Sequence, residues 1–344
     1  MQFQAIARPG DTVVLVHGLL GFKTLPGLSY FRGFKKALEN RGYQVAHPTL
    51  LPLGLYRERA AELSEYCARA KVYEQAENRN ARVHFLGHSQ GGMDIRYMLS
   101  PSGLNQRHPS VGSVTTLASP HGGIARIGVL ATLVAPLVHS LSGQLLAERG
   151  TLLHPEVMNF LQRVHSVPQT KLHSIIEQFG EQVDWKDCPS VEYCSFSARG
   201  YPGDGKLSGL MYAPWLLAYL NGGPNDGIVT VDCGKYGQWL GTLNQPHEKV
   251  VGLTWKLKSL ARLLRGQRRP TPESLDMDGE EGASKERRNA LISSAHEHLK
   301  NAHFAEGWIG TLEQLPRSHS QRTPELLTAI WAHNLQGYVK QCPY

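Results

Sequence analysis

Apolar runs alternate with amphipathic segments along the first third of the chain. The continuous apolar run Val13–Val16 is typical of a central strand that is buried on both faces. The spacing of apolar residues predicts an amphipathic helix over Leu28–Arg41, ending at Gly42, and a long helix over Tyr56–Asn78. Strands that alternate with helices predict a mostly parallel sheet flanked by helices, which is an α/β fold.

The segment His84–Met93, "HFLGHSQGGM", raises a chemical question, because a serine stands between glycines where a strand meets a helix. Gly87, Ser89 and Gly91 fit the pattern G-x-S-x-G, in which the serine occupies a strained turn between a strand and a helix. Small residues on both sides let the chain bend this tightly. The alternative is a glycine-rich turn in some other α/β protein.

After residue 123 the alternation gives way to helical patterns. Ile124–Gly180 predicts helices with apolar residues on more than one face, and "VEYCSFSA" predicts a further strand. Trp255–Arg265 predicts a basic amphipathic helix. Two closing helices are predicted near Ala290–His303 and Thr323–Lys340.

Length, composition and charge narrow the class of protein. The chain has 344 residues, 41% of them hydrophobic, and a net charge of +7 that is spread too diffusely to indicate nucleic-acid binding. Its five cysteines do not form a disulfide framework, although one bridge is possible.

Membrane and export signals are not visible in the sequence. The first residues lack a basic stretch followed by an apolar one, so no signal peptide is predicted. The longest mostly apolar run, Ile127–Val138, is shorter than the ~20 residues that span a bilayer. These features favour an intracellular location over a mature secreted form.

A serine nucleophile of this type needs an acid and then a histidine further along the chain. Asp226 in "GPNDGIV", at an expected strand end, is the candidate acid; alternatively it serves only an Asn-Asp-Gly turn. Asp232 is the nearest rival, within a predicted β segment. His247 in "NQPHEKVVG" is the candidate base, chosen among sixteen histidines.

The transition state also needs two backbone N–H donors for a developing oxyanion. The loop "HGLLG", His17–Gly21, follows the first apolar strand, and its glycines let the backbone approach an acyl carbonyl. Leu19 N–H and Gln90 N–H are the candidate donors. In this hypothesis His247 takes the proton of Ser89, and water releases the acyl group.

Four stretches together resemble one family: "LVHGLLGF", "LGHSQGGMDIRY", "SVTTLASPHGG", and "NDGIV" with "PHEKVVG". They are similar to the bacterial true lipases, in particular the triacylglycerol lipases that need calcium and a dedicated foldase. The resemblance covers Thr12–Gly123 well and Val191–Gly252 more loosely. It implies an α/β-hydrolase fold. It also implies site roles, which are a triad of Ser89, Asp226 and His247 and oxyanion donors at Leu19 and Gln90.

The sequence departs from this family at the calcium site. The family carries a calcium-binding Asp two residues after its histidine, whereas this chain has Lys249, and an ammonium cannot ligate calcium. Asp204 could match the other calcium carboxylate. We therefore expect no metal and no cofactor. Cys188 and Cys233 fall near the two positions of the family's disulfide, and whether they pair stays open.

The resemblance predicts the hydrolase domain and its insertion, while composition and helical patterns predict the parts that follow it. Residues 1–265 form an α/β-hydrolase domain in which 124–180 is a helical lid or cap insertion, or alternatively a buried helical subdomain. Residues 266–289 are a flexible charged linker or surface excursion, and 290–344 contribute C-terminal helices that pack on the hydrolase core.

The expected function is that of a serine carboxylic-ester hydrolase acting on acylglycerols. Alternatives are an esterase, phospholipase or acyltransferase on another ester, or a non-catalytic binding protein on a hydrolase scaffold. The expected partner is a lipid ester, with peripheral contact to a lipid interface or anionic membrane and no nucleic acid. The basic stretch Trp255–Arg269 could make the membrane contact or be a solvated helix face.

Overall fold

A computed structural model describes residues 6–25, 28–125, 127–149, 154–202, 212–251, 301–315 and 339–340. Its strands are β1 (Thr12–Val16), β2 (Thr24–Leu25), β3 (Leu28–Ser29), β4 (Gln44–Ala46), β5 (Val83–His88), β6 (Val111–Leu117), β7 (Glu192–Ala198), β8 (Gln238–Leu243) and β9 (Val339–Lys340). Its helices are α1 (Phe34–Asn40), α2 (Tyr56–Arg69), α3 (Val72–Asn78), α4 (Gln90–Leu99), α5 (Ile127–Arg149), α6 (Pro155–His165), α7 (Gln169–Glu177), α8 (Tyr212–Gly222) and α9 (301–314).

In the part of the chain that the structure describes, seven strands form one sheet in the order β4-β1-β5-β6-β7-β8-β9. Neighbouring strands are parallel up to β8, and only the β8–β9 pair is antiparallel. Strands β1, β5 and β6 are buried along their whole length, as expected for strands that helices cover on both faces. The predicted α/β-hydrolase fold with a mostly parallel sheet is confirmed.

The helices over 127–177 pack on one another and on α2 and α4. Apolar residues of α5 and α7 share a cluster with Tyr56 of α2 and Met93 of α4. The Gln178 side chain, just after α7, accepts a hydrogen bond from Tyr56 N–H (2.8 Å). Among the described residues, none of the helices is long and apolar enough to cross a bilayer.

On one face of the sheet, α9 completes the core. Trp308 is fully buried, and its indole N–H donates to Thr115 Oγ1 of β6 (3.1 Å). The Phe304 ring contacts the rings of Phe34 and Phe196. This C-terminal helix therefore packs between α1 and the central strands.

Two predicted helices have different bounds in the structure. The prediction over Leu28–Arg41 was wrong at its start, because the helix begins at Phe34 and Leu28–Ser29 pairs with β2. The long helix over Tyr56–Asn78 was also wrong. Lys71 has a φ of 49°, and this left-handed backbone ends α2 and starts α3.

The region around the candidate acid also departs from expectation. Asp226 does not stand at a strand end, and the segment after it, which includes the rival Asp232, forms turns rather than a β segment. The helix predicted to end at His303 continues to residue 314, and Val339–Lys340 is a strand, not a helix. The predictions for Trp255–Arg269, the 266–289 linker and Asp204 lie outside the described residues.

A Ser–His–Asp set other than the predicted triad lies at the amino-terminal ends of β1, β5 and β6. Ser89 follows the other end of β5. His84 contacts Ser113 Oγ through Nδ1 (2.8 Å) and Asp11 Oδ2 through Nε2 (3.1 Å). Asp11 also accepts hydrogen bonds from the N–H groups of Arg8 (2.9 Å) and Arg82 (2.8 Å). Because all three side chains are buried, this set joins strands and offers no accessible nucleophile.

We expect Asp11→Asn to destabilise the protein and leave catalysis unchanged. The buried carboxylate accepts several hydrogen bonds, and losing a charged acceptor costs about 2 kcal/mol in the free energy of unfolding. Burial alone would raise the pKa of Asp11, but the His84 contact and the backbone donors outweigh it and lower the pKa. The stabilisation is therefore present above the unfolded pKa and lost as pH falls through the folded one. Urea unfolding at pH 7 and pH 3 checks this, and an equal loss at both pH values would contradict it.

Candidate active site

Ser89 stands at the turn between β5 and α4. Its backbone has a φ of 54° and a ψ of −125°, a strained conformation for a residue with a side chain. The Ser89 N–H donates to Leu117 O of β6 (2.9 Å), which fixes the turn against the sheet. The side chain is half-buried, so the hydroxyl stands at the edge of the sheet where a substrate could reach it.

Glycines around Ser89 leave no room for a Cβ. A Cβ on Gly87 would lie 2.5 Å from Gly92 N, and one on Gly91 would lie 2.3 Å from Val16 O. One on Gly92 would lie 2.2 Å from Ser119 Oγ. Two of these neighbours are backbone atoms that cannot rotate away, so the tight elbow requires glycine for close packing of α4 on the sheet.

We expect Gly91→Ala to lower the free energy of unfolding by about 1–3 kcal/mol, because the added methyl meets the backbone of β1. Chemical denaturation would measure the change. Gly128→Ala is the matched control, since its Cβ would meet only Glu177 Oε1 at 3.7 Å, an ordinary contact. Equal stability of the two variants would contradict the packing argument.

The loop after β1 lies directly against the elbow. A Cβ on Gly18 would fall 2.9 Å from Ser89 Cβ and 3.0 Å from His88 O. Neither Leu19 N–H nor Gln90 N–H donates to another described residue, and Gln90 N–H starts α4, where the helix dipole favours negative charge. Leu19 N–H and Gln90 N–H therefore stay the candidate oxyanion donors.

A buried ion pair holds this loop. The Arg59 side chain donates from Nε to Asp94 Oδ2 (2.8 Å) and from Nη2 to His17 O (2.5 Å). A third bond runs to Leu51 O. Arg59 and Asp94 are fully buried, so the guanidinium links α2, α4 and the loop His17–Gly21, which we call the candidate oxyanion loop. Sequence reasoning missed this pair because no motif marks a single arginine in an amphipathic helix.

Asp226 and His247 are brought together. His247 Nδ1 lies 2.7 Å from Asp226 Oδ2, and both side chains are buried. Asp226 Oδ1 accepts the N–H groups of Ile228 (3.0 Å) and Val229 (2.8 Å), while His247 N–H donates to Asp226 O (2.9 Å). One carboxylate oxygen is therefore held by the backbone and the other is aimed at the imidazole.

The electrostatics of this pair favour a basic imidazole. Burial alone would lower the pKa of His247, but the charge of Asp226 and its hydrogen bond outweigh burial and raise the pKa. Since Asp226 engages Nδ1, Nε2 is the nitrogen left for proton exchange. The rival Asp232 is exposed and pairs with Lys235 (2.7 Å) instead.

The histidine before Ser89 joins the elbow to the His247 loop. The His88 ring lies 4.7 Å from the His247 ring, centroid to centroid. Its Nε2 lies 3.0 Å from His247 O. The turn that carries the candidate base is thus anchored to the residue that precedes the candidate nucleophile.

Metal-ligating side chains are not clustered in the described ranges, where no group of three or more His, Cys, Asp or Glu residues could hold an ion. Lys249 lies in the 3₁₀ turn His247–Val251. Cys188 and Cys233 are both buried free thiols; the Cys233 thiol lies 3.2 Å from Gly123 O and donates to it. The expectation of no calcium stays a prediction.

Comparison with known proteins agrees with this fold. Residues 12–173, just under half of the chain, match the family described as Palmitoyl protein thioesterase. Triacylglycerol lipase 2 of Saccharomyces cerevisiae is 25% identical over 240 residues, which cover 69% of this chain and 66% of that protein. The triacylglycerol lipase of Vibrio cholerae is 33% identical over 126 residues, or 35% of this chain and 38% of that one. The matched region therefore spans less than two thirds of each relative.

Two of the solved structures with a similar fold are named as a lipase and an esterase. The Staphylococcus hyicus lipase aligns with a TM-score of 0.48 at 16% identity, over 89% of this chain and 99% of that one. A metagenomic carboxyl esterase aligns with a TM-score of 0.47 at 19% identity, over 83% of this chain and 78% of that one.

The parallel sheet and the serine elbow define the class of protein. The chain has an α/β-hydrolase fold and is similar to triacylglycerol lipases and to the Palmitoyl protein thioesterase family. The resemblance to triacylglycerol lipases predicted from the sequence is confirmed by the yeast and Vibrio relatives.

Proposed function

We propose that the protein hydrolyses carboxylic esters through a triad of Ser89, His247 and Asp226. The observation that carries the proposal is the buried Asp226–His247 hydrogen bond of 2.7 Å in a turn anchored beside the Ser89 elbow. A carboxylate that fixes the tautomer of a histidine next to a strained serine is the arrangement that activates a hydroxyl nucleophile.

The proposed reaction has two halves. His247 Nε2 takes the proton of Ser89 as Oγ attacks the ester carbonyl carbon, and the N–H groups of Leu19 and Gln90 stabilise the oxyanion. The imidazolium gives its proton to the leaving alcohol, so an acyl-enzyme remains. Water then attacks the acyl carbon, His247 takes its proton, and the carboxylic acid leaves as Ser89 regains its hydrogen.

The raised pKa of His247 sets the pH dependence. Only neutral His247 can accept the serine proton, so kcat/KM should rise as pH climbs through a midpoint above the ordinary histidine value of about 6.5. A pH series of ester hydrolysis from pH 5 to 9 would measure this midpoint. A rate that is already at its plateau below pH 6 would contradict the proposed base.

Exposed apolar side chains favour a lipid ester as substrate. In the described ranges the large exposed hydrophobic residues belong to α5, α8 and one loop position, namely Leu137, Leu141, Tyr201, Tyr212, Leu216, Tyr219 and Leu220. Helix α8, "YAPWLLAYLNG", carries no charged residue. It is tied to the Asp226 loop, because Asn225 Nδ2 donates to Trp215 O (3.1 Å). An uncharged apolar helix beside the site suits an acylglycerol at a lipid interface.

We expect the double variant Leu216→Ser, Leu220→Ser to lose activity on emulsified long-chain triacylglycerol by about tenfold, because two side chains no longer bury against lipid. Hydrolysis of soluble p-nitrophenyl acetate should be unchanged. Glu65→Ser, a substitution at an exposed side chain of α2, is the control and should affect neither substrate. Equal losses on both substrates in the double variant would show damage to the site rather than lost lipid contact.

Acyl thioesters are the second candidate substrates. The match to the Palmitoyl protein thioesterase family spans residues 12–173, which hold Ser89 and the candidate oxyanion loop. The same nucleophile attacks either carbonyl, so the leaving group decides between the two functions.

Substrate profiling tests the proposal. Wild-type protein would be assayed on p-nitrophenyl esters from about C2 to C16, on emulsified triacylglycerol, and on a palmitoyl thioester, with and without EDTA. We expect long-chain ester and triacylglycerol hydrolysis that EDTA does not reduce. Activity confined to short chains would favour a simple esterase, preference for the thioester would favour the second candidate, and no turnover of any acyl substrate would overturn the proposal.

A further inference from the structure

A line of three buried hydrogen bonds crosses the candidate site. Gly18 N–H donates to Tyr30 Oη (3.0 Å), Tyr30 Oη lies 2.7 Å from His88 Nδ1, and His88 Nε2 lies 3.0 Å from His247 O. The side chains of Tyr30 and His88 are both buried. The line therefore runs from the candidate oxyanion loop to the turn of the candidate base.

The proton positions along this line are determined by the groups themselves. A carbonyl oxygen only accepts, so His88 Nε2 carries a proton and donates to His247 O. Burial and the nearby charge of His247 lower the pKa of His88 well below the ordinary value, so its ring is neutral and Nδ1 accepts. The Tyr30 hydroxyl must then donate to Nδ1 and accept from Gly18 N–H. Every donor meets an acceptor, with one arrangement for the whole line.

Three members of this line of hydrogen bonds adjoin or belong to groups of the proposed mechanism. Gly18 is followed by Leu19, whose N–H is a proposed oxyanion donor, and His88 is followed by Ser89. The His247 carbonyl belongs to the same residue as the proposed base. Movement of the central side chains would therefore shift the oxyanion donor, the nucleophile and the base relative to one another.

We propose that Tyr30 and His88 are positioning residues that fix the candidate oxyanion loop and the His247 turn in place relative to Ser89. This inference rests on the proposed function of Ser89 and His247. It assigns to the residue between Gly87 and Ser89 a specific task that the elbow motif leaves open. Serine attack depends on sub-ångström placement of these groups, so the loss should appear in the chemical step rather than in substrate binding.

Tyr30→Phe separates this role from packing. The Tyr30 ring contacts Phe22, Phe31 and the His17 ring, and phenylalanine keeps these contacts while it removes the hydroxyl. Without the hydroxyl, Gly18 N–H loses its acceptor and His88 Nδ1 loses its donor. His88→Leu removes both hydrogen bonds that the His88 side chain makes, to Tyr30 and to His247 O.

The test is the rate at which a fluorophosphonate probe labels Ser89, followed by intact mass. This rate needs the nucleophile, base and oxyanion donors but no particular ester substrate. We expect Tyr30→Phe to label about tenfold more slowly, His88→Leu to be at least as slow, and the double variant to be no slower than His88→Leu alone, because both residues act through one line. With a p-nitrophenyl ester, kcat should fall while KM stays within about twofold.

Tyr43→Phe is the matched control. Tyr43 is as deeply buried as Tyr30, and its hydroxyl donates to Glu313 Oε1 (2.7 Å) away from the site. It should label at the wild-type rate. Wild-type rates in both Tyr30→Phe and His88→Leu, or a loss in Tyr43→Phe as large as in Tyr30→Phe, would overturn the inference while the proposed function stands. A wild-type protein that the probe does not label at Ser89 would instead overturn the proposed function and the inference with it.

Discussion

Replacing Ser89 with alanine should reduce kcat for ester hydrolysis by about 10⁶-fold, because the nucleophile and the acyl-enzyme route disappear together. The substitution removes one half-buried hydroxyl from the elbow, so the fold and substrate binding should persist. Initial rates on a p-nitrophenyl ester, with thermal unfolding alongside, would measure the effect. A variant that keeps more than a few per cent of wild-type kcat would contradict the role of Ser89.

Ser113→Ala is the control that the structure offers. Ser113 contacts His84 within a Ser–His–Asp set like the proposed triad, but it is fully buried at the opposite end of the sheet. Its loss should lower stability and leave kcat unchanged. A drop in kcat for Ser113→Ala comparable with that of Ser89→Ala would show that the assay reports folding rather than chemistry.

Asp226→Asn should reduce kcat by about 10⁴-fold, the second largest expected effect. An asparagine can still accept the N–H groups of Ile228 and Val229 through its oxygen, so the turn should stay folded. Its amide group would face His247 Nδ1 and favour the tautomer with the proton on Nε2, which cannot accept the serine proton. The pKa of His247 should fall as the carboxylate charge is lost.

Asp232→Asn provides the matched comparison, because Asp232 lies in the same run of turns and is exposed. Its kcat should equal that of the wild type. Measuring both variants over a pH series separates a lost base from a lost fold. If Asp232→Asn were the damaged variant and Asp226→Asn the active one, the assignment of the acid would be wrong.

The parts of the fold that could be predicted from the sequence are those that a local pattern marks. The strand β5, Ser89 and α4 were predicted from one contiguous stretch, in which apolar residues precede the glycine spacing of the G-x-S-x-G pattern. The strand β1 was also predicted, because a strand buried on both faces has a continuous apolar run. The parallel direction of the strands was predicted from the alternation of strands with helices.

Features that depend on distant contacts were not predictable. Nothing local marks Lys71 as the residue where one predicted helix becomes two. The strand Leu28–Ser29 forms only because it pairs with β2. Arg59 and Asp94 are 35 positions apart, and Tyr30 and His88 are 58 apart. Their roles appear only when the fold brings α2 against α4, and the segment after β3 against the end of β5.

The candidate triad combines one residue that a local motif marks with two residues that no local pattern marks. Ser89 was marked by its own motif, whereas Asp226 and His247 were chosen from common residue types with the help of a family resemblance. The structure places Asp226 in a turn, not at a strand end, and still brings it to His247. A backbone hydrogen bond from His247 N–H to the Asp226 carbonyl (2.9 Å) joins the two turns that carry these residues.

Acyl-enzyme trapping tests the central claim most directly. Wild-type protein would be mixed with a long-chain p-nitrophenyl ester, quenched in acid during turnover, and digested for peptide mass analysis. We predict that one acyl group is added to the peptide that contains Ser89, and that this adduct is absent in Ser89→Ala. Steady turnover with no adduct on that peptide, or an adduct on another residue, would contradict the proposed mechanism.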